Sequence, residues 1–441
     1  MTRPHSSSVC EDESLSAQTL RHLQRQSFEY FLHEVNPKNG LVLDKTAADW
    51  PASIAAMGIA LTCYVVGADR GFIDRCDAAA RTLTMLRFLA SSEQSEAADA
   101  TGCRGFYYHF LDMRSGRRAW QCELSSIDTA ILIAGALAAA EYFDGGAEEA
   151  EIGALTRQLY ERIDWQWMLA GGETMCHGWR PEGGFLPYRW AGYDEALILY
   201  LLALGSPTHP IEPRHYDAWC STYQWKTVYG IDYLHAGPLF IHQMSHIWCD
   251  FRGIRDRFMR ARDCDYFENS RRATHVQQRY AIENPPGFRH LNEHCWGITA
   301  SDGPGNTVRE IKGVRRVFYD YIARGVPDGP DDGTLAPWAV AASLPFAPEI
   351  VAPAIQHLKA LHIKVPNPYG FKASFNPLFG GDVDGVGWVS PHHFGINEGP
   401  TVLMIENHRT GLVWSTMRVC RALRTGLVRA GFEGGWLADV A

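Results

Sequence analysis

The 441-residue chain has no excess of basic charge: 41 Lys and Arg against 50 Asp and Glu leave a net charge of -9. Phosphate backbones are bound by clustered cations. The densest basic stretch, Arg252 to Arg272, is interleaved with Asp256, Asp263, Asp265 and Glu268, which reads as a solvated helix face and excludes nucleic acid as a partner. No apolar run is long enough to span a bilayer; Ile54 to Val66 is interrupted by Gly58. The N-terminus, Met-Thr-Arg-Pro-His-Ser-Ser-Ser, lacks the apolar centre of a secretory signal. The 11 cysteines are odd in number and form no CxxC, the pattern of reduced thiols. Together these predict a cytoplasmic protein, or a periplasmic one if a signal has been removed. Three further absences narrow the chemistry. Without GxSxG there is no nucleophile elbow, and without GxGxxG or GxxxxGK[ST] there is no nucleotide-binding loop.

Apolar residues make up 46% of the chain and aromatics 12%, with 14 Trp, 18 Tyr and 20 Phe. That is enough for a sizeable core and for flat ligand-stacking surfaces. Helical spacing runs from Ser16 to Val35, and residues 1–14 read as a disordered tail. Thereafter nearly uncharged segments alternate with amphipathic ones. Pro51–Val66, Glu123–Phe143, Ala196–Leu204, Pro238–Asp250, Leu335–Leu344 and Pro400–Trp414 read as buried helices. Phe72–Leu89, Ala147–Ala170, Glu212–Tyr223, Arg255–Tyr280 and Ala347–Leu361 read as outer helices, and Pro285–Trp296 and Ser415–Ala430 continue the alternation. No repeating strand pattern competes, and Gly105–Trp120 is at most a short hairpin. No linker divides the chain. The expected fold is all-α, a single (α/α)6 toroid barrel over residues 15–441 with loop insertions, its inner-helix ends facing one cavity.

Acids, imidazoles and aromatics gather where loops enter these helices. The Phe185–Pro210 stretch places Asp194 and Glu195 in the first turn of an apolar helix, beside Tyr188, Arg189, Trp190 and Tyr193. Desolvation there disfavours the charged carboxylate, which suits Glu195 to a general acid. Glycosidic cleavage also needs an ionised partner, for which Asp128, Asp302, Asp384, Glu398 and Glu406 are candidates. His242 and His246 stand four apart, as two zinc ligands on one helical face would, but Gln243 occupies the place of the HExxH glutamate. No metal and no cofactor is predicted. A carbohydrate is the predicted ligand.

Gly-Tyr-Asp-Glu-Ala at 192–196, Leu-Phe-Ile-His-Gln-Met-Ser-His at 239–246, Trp-Gly-Ile-Thr-Ala-Ser-Asp at 296–302, Asp-Gly-Thr-Leu-Ala-Pro at 332–337 and Gly-Ile-Asn-Glu-Gly-Pro at 395–400 together resemble the glucoamylase-like (glycoamylase) family. It includes the β-1,2-glucanases of glycoside hydrolase family 144 and the transglycosylase domain of cyclic β-1,2-glucan synthases. The resemblance covers roughly Leu23 to Phe432. It implies an (α/α)6 barrel that hydrolyses β-1,2-glucan or its oligosaccharides without a metal, with Glu195 as general acid. Many relatives read Asp-Gln where this chain has Asn397-Glu398, so the second carboxylate is assigned to Glu398, or to Asp128 in its place. His109, Tyr188, Arg189, Tyr193, His246, Asp302, Tyr369 and Trp388 would line the sugar sites. A transglycosylase of the same fold, or a silent carbohydrate-binding relative, are the alternatives. Oligomeric state is not specified by these features.

Overall fold

Helices without a polar face must be enclosed by other helices, and the chain meets this requirement with two concentric rings. The structure is a computed structural model that describes residues 17–361, 368–380 and 386–438. The expected tail at residues 1–14 lies outside the described residues, as does Asp384. The helices in chain order are α1 (Ala17–His33), α2 (Ile54–Arg70), α3 (Arg75–Ser91), α4 (Ser126–Tyr142) and α5 (Ala147–Glu161). They continue with α6 (Leu197–Gly205), α7 (Pro213–Cys220), α8 (Arg257–Arg260), α9 (Tyr266–Glu283), α10 (Pro337–Ala342) and α11 (Pro348–Ala360). The last three that matter here are α12 (Gly395–Arg409), α13 (Leu412–Arg418) and α14 (Arg421–Arg429).

The inner ring is α2, α4, α6, a pair of 3-10 turns at Leu239–His242 and Met244–Ile247, α10 and α12, and this is an (α/α)6 barrel. Every residue of α6 is buried, as is every residue of α2 from Ile54 to Gly67. Helix α2 packs between α4 and α12, and α10 packs on α12. Side chains close the ring at the 3-10 segment. Ser245 Oγ accepts from the Ile198 N–H at 3.1 Å, and Gln243 donates to the Ala339 carbonyl at 2.7 Å. Outer helices cover the inner ones, α1 on α12 and α3 beside α5.

Several expected elements differ in detail. Helix α6 begins at Leu197, so Asp194 and Glu195 occupy the turn leading into it rather than its first turn; Asp194 accepts the Ala196 N–H at 3.0 Å there. Pro238–Asp250 is not one helix. It forms two 3-10 turns, and two of its carbonyls are taken by side chains, Trp414 donating to His246 and Asn407 to Ile247. Pro285–Trp296 contains no helix, since Asn284 ends α9 in the left-handed conformation just before Pro285 and Pro286. Helix α12 starts at Gly395 and takes Pro400 inside it. Short antiparallel pairs join the helices, the longest being Thr307–Ile311 with Val314–Phe318, whose exposed Arg309 and Glu310 carry no apolar alternation.

The seam between α2 and α4 is backbone against backbone. A Cβ on Gly135 would lie 1.8 Å from the Gly58 carbonyl oxygen, and one on Gly58 would lie 2.3 Å from that of Ile131. No rotamer change relieves a clash with main chain. Gly135→Ala is therefore expected to lower the unfolding free energy by about 2–3 kcal/mol, read from the denaturant midpoint. An unchanged midpoint would show that the two helices separate freely.

Candidate active site

Because the inner helices are apolar along their length, their polar groups are at their ends. The N-terminal ends of α4, α6, α10 and α12 converge on one cavity of about 290 Å³. Its wall includes Asp128 from the first turn of α4, Glu195 from the turn before α6, Trp338 from α10 and Asn397 from α12. The partial positive charge of helix N-termini favours carboxylates at these places.

Desolvation dominates Glu195. Burial pushes its carboxyl up to about 7, and the charge on Asp128 adds to the rise. Asp194 next to it is also raised, by burial and by Glu195, although it accepts the Trp219 indole N–H at 3.1 Å. Asp128 is fixed by Ser125, which caps α4, accepting the Asp128 N–H at 3.1 Å and donating its hydroxyl back to the carboxylate.

His109 lies between two acids. Its Nδ1 donates to Glu123 at 3.0 Å, and its Nε2 is 3.5 Å from Asp128. Burial opposes its charge, but Asp128, Glu123 and Asp44 outweigh burial and raise it to about 9. The same contact holds Glu123 down to about 2. The cavity thus contains a fixed cation, two acids bound to it, and a separate carboxyl that keeps its proton near neutrality.

The remaining expected residues divide sharply. Glu398, one helical residue after Asn397, points into the interior and receives the His393 Nδ1 hydrogen bond at 2.7 Å. Burial raises it despite that bond. Asn397, not Glu398, faces the cavity, because successive helical residues diverge by 100°. Glu406 is at the far end of α12 and is bound by Arg70, Gln24 and Thr410. Asp302 is buried and accepts the Ser390 hydroxyl at 2.9 Å. His246 is enclosed by Phe251 and Phe346 and bonded to Ser270 at 2.9 Å, so it is a core residue and not a sugar contact. His242 turns instead to the Ala236 carbonyl, so the two imidazoles do not converge as zinc ligands would.

Tyr369 donates to Glu34 at 2.6 Å and packs on His393 behind the cavity wall. Arg189 ties its loop to the segment after α5 through the Leu169 and Thr174 carbonyls. Tyr193 lies among Tyr223, Tyr266 and His242, and Trp388 sits in a two-residue strand paired with Asn376. Tyr188 is exposed and does not line the cavity; its ring is 6.0 Å from that of His177, which does.

Residues without a sequence signal complete the wall. His177 stacks on Trp190 at 3.7 Å, and Tyr321 stands over the cavity close enough to feel Asp44, Asp302, Glu195 and Asp128. The loop that carries Tyr321 is anchored by Arg324, a wholly buried guanidinium. It donates to Asp332 at 2.8 and 2.9 Å, to Ser301 O at 2.7 Å, and to Tyr319 O and Asp320 O. Asp332, the first residue of the Asp-Gly-Thr-Leu-Ala-Pro motif, is this anchor.

The fold and site define an (α/α)6 barrel with an acidic, aromatic-walled central cavity. The glycoamylase family model matches residues 187–421, and the chain belongs to that family. It is 27% identical over 435 residues to the exo-β-1,2-glucooligosaccharide sophorohydrolase (non-reducing end) of Parabacteroides distasonis, a match covering 90% of this chain. The chain spans 56% of that relative's length. A Bacteroides uniformis structure provisionally named a glucoamylase superposes with a TM-score of 0.84 at 29% identity, covering 97% of this chain and 100% of the other. A β-1,2-glucanase from Parabacteroides distasonis gives 0.82 at 25% identity, over 93% of this chain and 59% of that one.

A raised carboxyl binds its proton more tightly in the folded chain than in the unfolded one. The stabilisation it gives is complete below the ordinary value of 4.5 and is lost as pH rises through about 7. Glu195→Gln removes this dependence. The variant is expected to be more stable than the parent by about 2 kcal/mol at pH 8, discounted for partial exposure to the cavity, with no gain at pH 4. Denaturant unfolding at both values checks this, and an equal gain at each would show that Glu195 is not the titrating group.

Proposed function

We propose that this chain hydrolyses β-1,2-linked glucose chains, with Glu195 as proton donor and Asp128 as its ionised partner. The observation that carries the reading is a buried carboxyl, raised to about 7, that shares one cavity with a second carboxylate. Such a pair separates acid from base by environment, as glycosidic cleavage requires. Glu195 gives its proton to the glycosidic oxygen as the bond to the anomeric carbon breaks. Asp128 either takes a proton from the water that adds to that carbon or bonds to the carbon before water releases it. In both cases one acetal and one water become two sugars.

His109 orients this chemistry. Its imidazolium stands 3.5 Å from Asp128 and is itself held by Glu123. Asp128 therefore meets a fixed cation, while Glu195 has no basic partner among the described residues and keeps its proton. Glu398 has no part in this reading, since its carboxylate is committed to His393. The linkage is supported by the names of the relatives, and the chain's match to them over most of its length.

Glu195→Gln and Asp128→Asn are each expected to lower turnover of linear β-1,2-glucan by roughly 10²–10⁴-fold. Activity of the parent should fall as pH rises through about 7, where Glu195 loses its proton. Product chromatography and anomeric NMR read the outcome. Full activity in either variant would overturn its assignment, and products longer than the substrate would identify a transglycosylase.

A further inference from the structure

The aromatic wall of the cavity continues outward beyond His109. The imidazole stacks on Phe110 with ring centres 4.0 Å apart. Phe110 lies 5.2 Å from Trp120, and Trp120 meets Trp50 edge-on at 4.6 Å. Trp50 is fixed from behind: its indole N–H donates to Asp44 at 2.9 Å, and the Lys45 ammonium stands 4.0 Å from its ring centre. Within this ladder the Trp120 indole is 57% exposed.

The backbone beneath Trp120 is unusual. The Cys122 N–H donates to the Ala119 carbonyl at 3.1 Å, closing a tight turn around Trp120 and Gln121. Both central residues have left-handed backbones, with φ of 54° and 52°. Positive φ at both positions is type I′ geometry, which normally selects Asn-Gly because a Cβ is disfavoured there. Arg118 holds the turn. Its side chain is 1% exposed and donates to the Cys122 carbonyl at 2.6 Å, to the Gln121 carbonyl at 2.7 Å and to Glu182 at 2.6 Å. A surface turn under no other demand would carry glycine. This one instead spends a buried arginine to present tryptophan, and maintained strain of this kind is found at ligand-contacting sites.

We infer that Trp120 is a stacking platform for a glucosyl residue of the substrate chain outside the cavity, an inference that rests on the glucan-cleaving reading above. β-Linked glucopyranose has flat C–H faces, and indole offers a large rigid plane with little conformational freedom to lose. The occupant is a sugar of the same chain because the ring ladder is continuous with the cavity through His109. Trp120 therefore favours long substrates over short ones.

The test compares kcat/KM for linear β-1,2-glucan with that for the shortest oligosaccharide the parent cleaves, in the parent, Trp120→Ala and Trp120→Phe. The long-to-short ratio is expected to fall about 3- to 10-fold in Trp120→Ala and to recover with phenylalanine. Equal losses on both substrates would overturn the platform, because Trp120 would then act only by supporting Phe110 and His109. An unchanged ratio with full activity would overturn it equally, while leaving the glucan reading intact. If the parent cleaves neither substrate, the glucan reading fails, and calorimetric binding of the polymer to Glu195→Gln with and without Trp120→Ala decides the platform. Equal affinities, or none, would overturn it.

Discussion

Inner helices with no polar face impose the constraint on which the structure depends. A helix like α6, buried at every residue, can be placed only where other helices surround it. Six such segments can satisfy one another by closing into a ring, and an outer layer then shields them from water. Charged side chains are kept to the helix ends, while the few polar ones within the bodies, such as Thr62, are paired inside the core. The N-terminal ends converge, so the positive poles of several backbone dipoles meet in one cavity. Carboxylates gather there because the field favours them.

Within that field, local partners decide which acid keeps a proton. Glu123 has the His109 imidazolium and, at 3.4 Å, Arg180, and its carboxyl is held low. Glu195 has neither, and burial dominates it. Its place two residues ahead of α6 is part of the reason, since nearby N–H groups are taken elsewhere: Ala196 N–H goes to Asp194 and Ile198 N–H to Ser245. Opposite behaviour in neighbouring acids thus follows from the allocation of a few donors.

Much of this was legible from composition and spacing. Uninterrupted apolar runs such as Ala196–Leu204 announce inner helices, and the acids just before that run single out Glu195, whereas Asp128 is one of five candidates for its partner and stands second to Glu398. Glu398 was misplaced because adjacent helical positions differ by 100° in direction, and the sequence does not say which of Asn397 and Glu398 faces inward. His246, named among the sugar contacts alongside the resemblance, is packed in the core instead, and because Pro238–Asp250 forms two 3-10 turns the four-residue spacing of His242 and His246 does not put them on one helical face. Tyr321 and His177 reach the wall through loops held by long-range bonds, Arg324 to Asp332 and Ser126 to the Cys176 and His177 carbonyls. Such contacts have no periodic signature. Trp120 likewise takes its meaning from Arg118 and from a left-handed turn whose residues do not suggest one.

The α2–α4 seam has a consequence for how such a barrel diversifies. Where Gly58 and Gly135 touch, no side chain separates the two backbones, so the circumference at that point is already minimal. Mutation there can only spread the ring and open voids in a core packed on both sides. The width of the barrel is thus a frozen quantity, and variation in what different descendants of this architecture accept must be written into the loops and turns that crown its mouth.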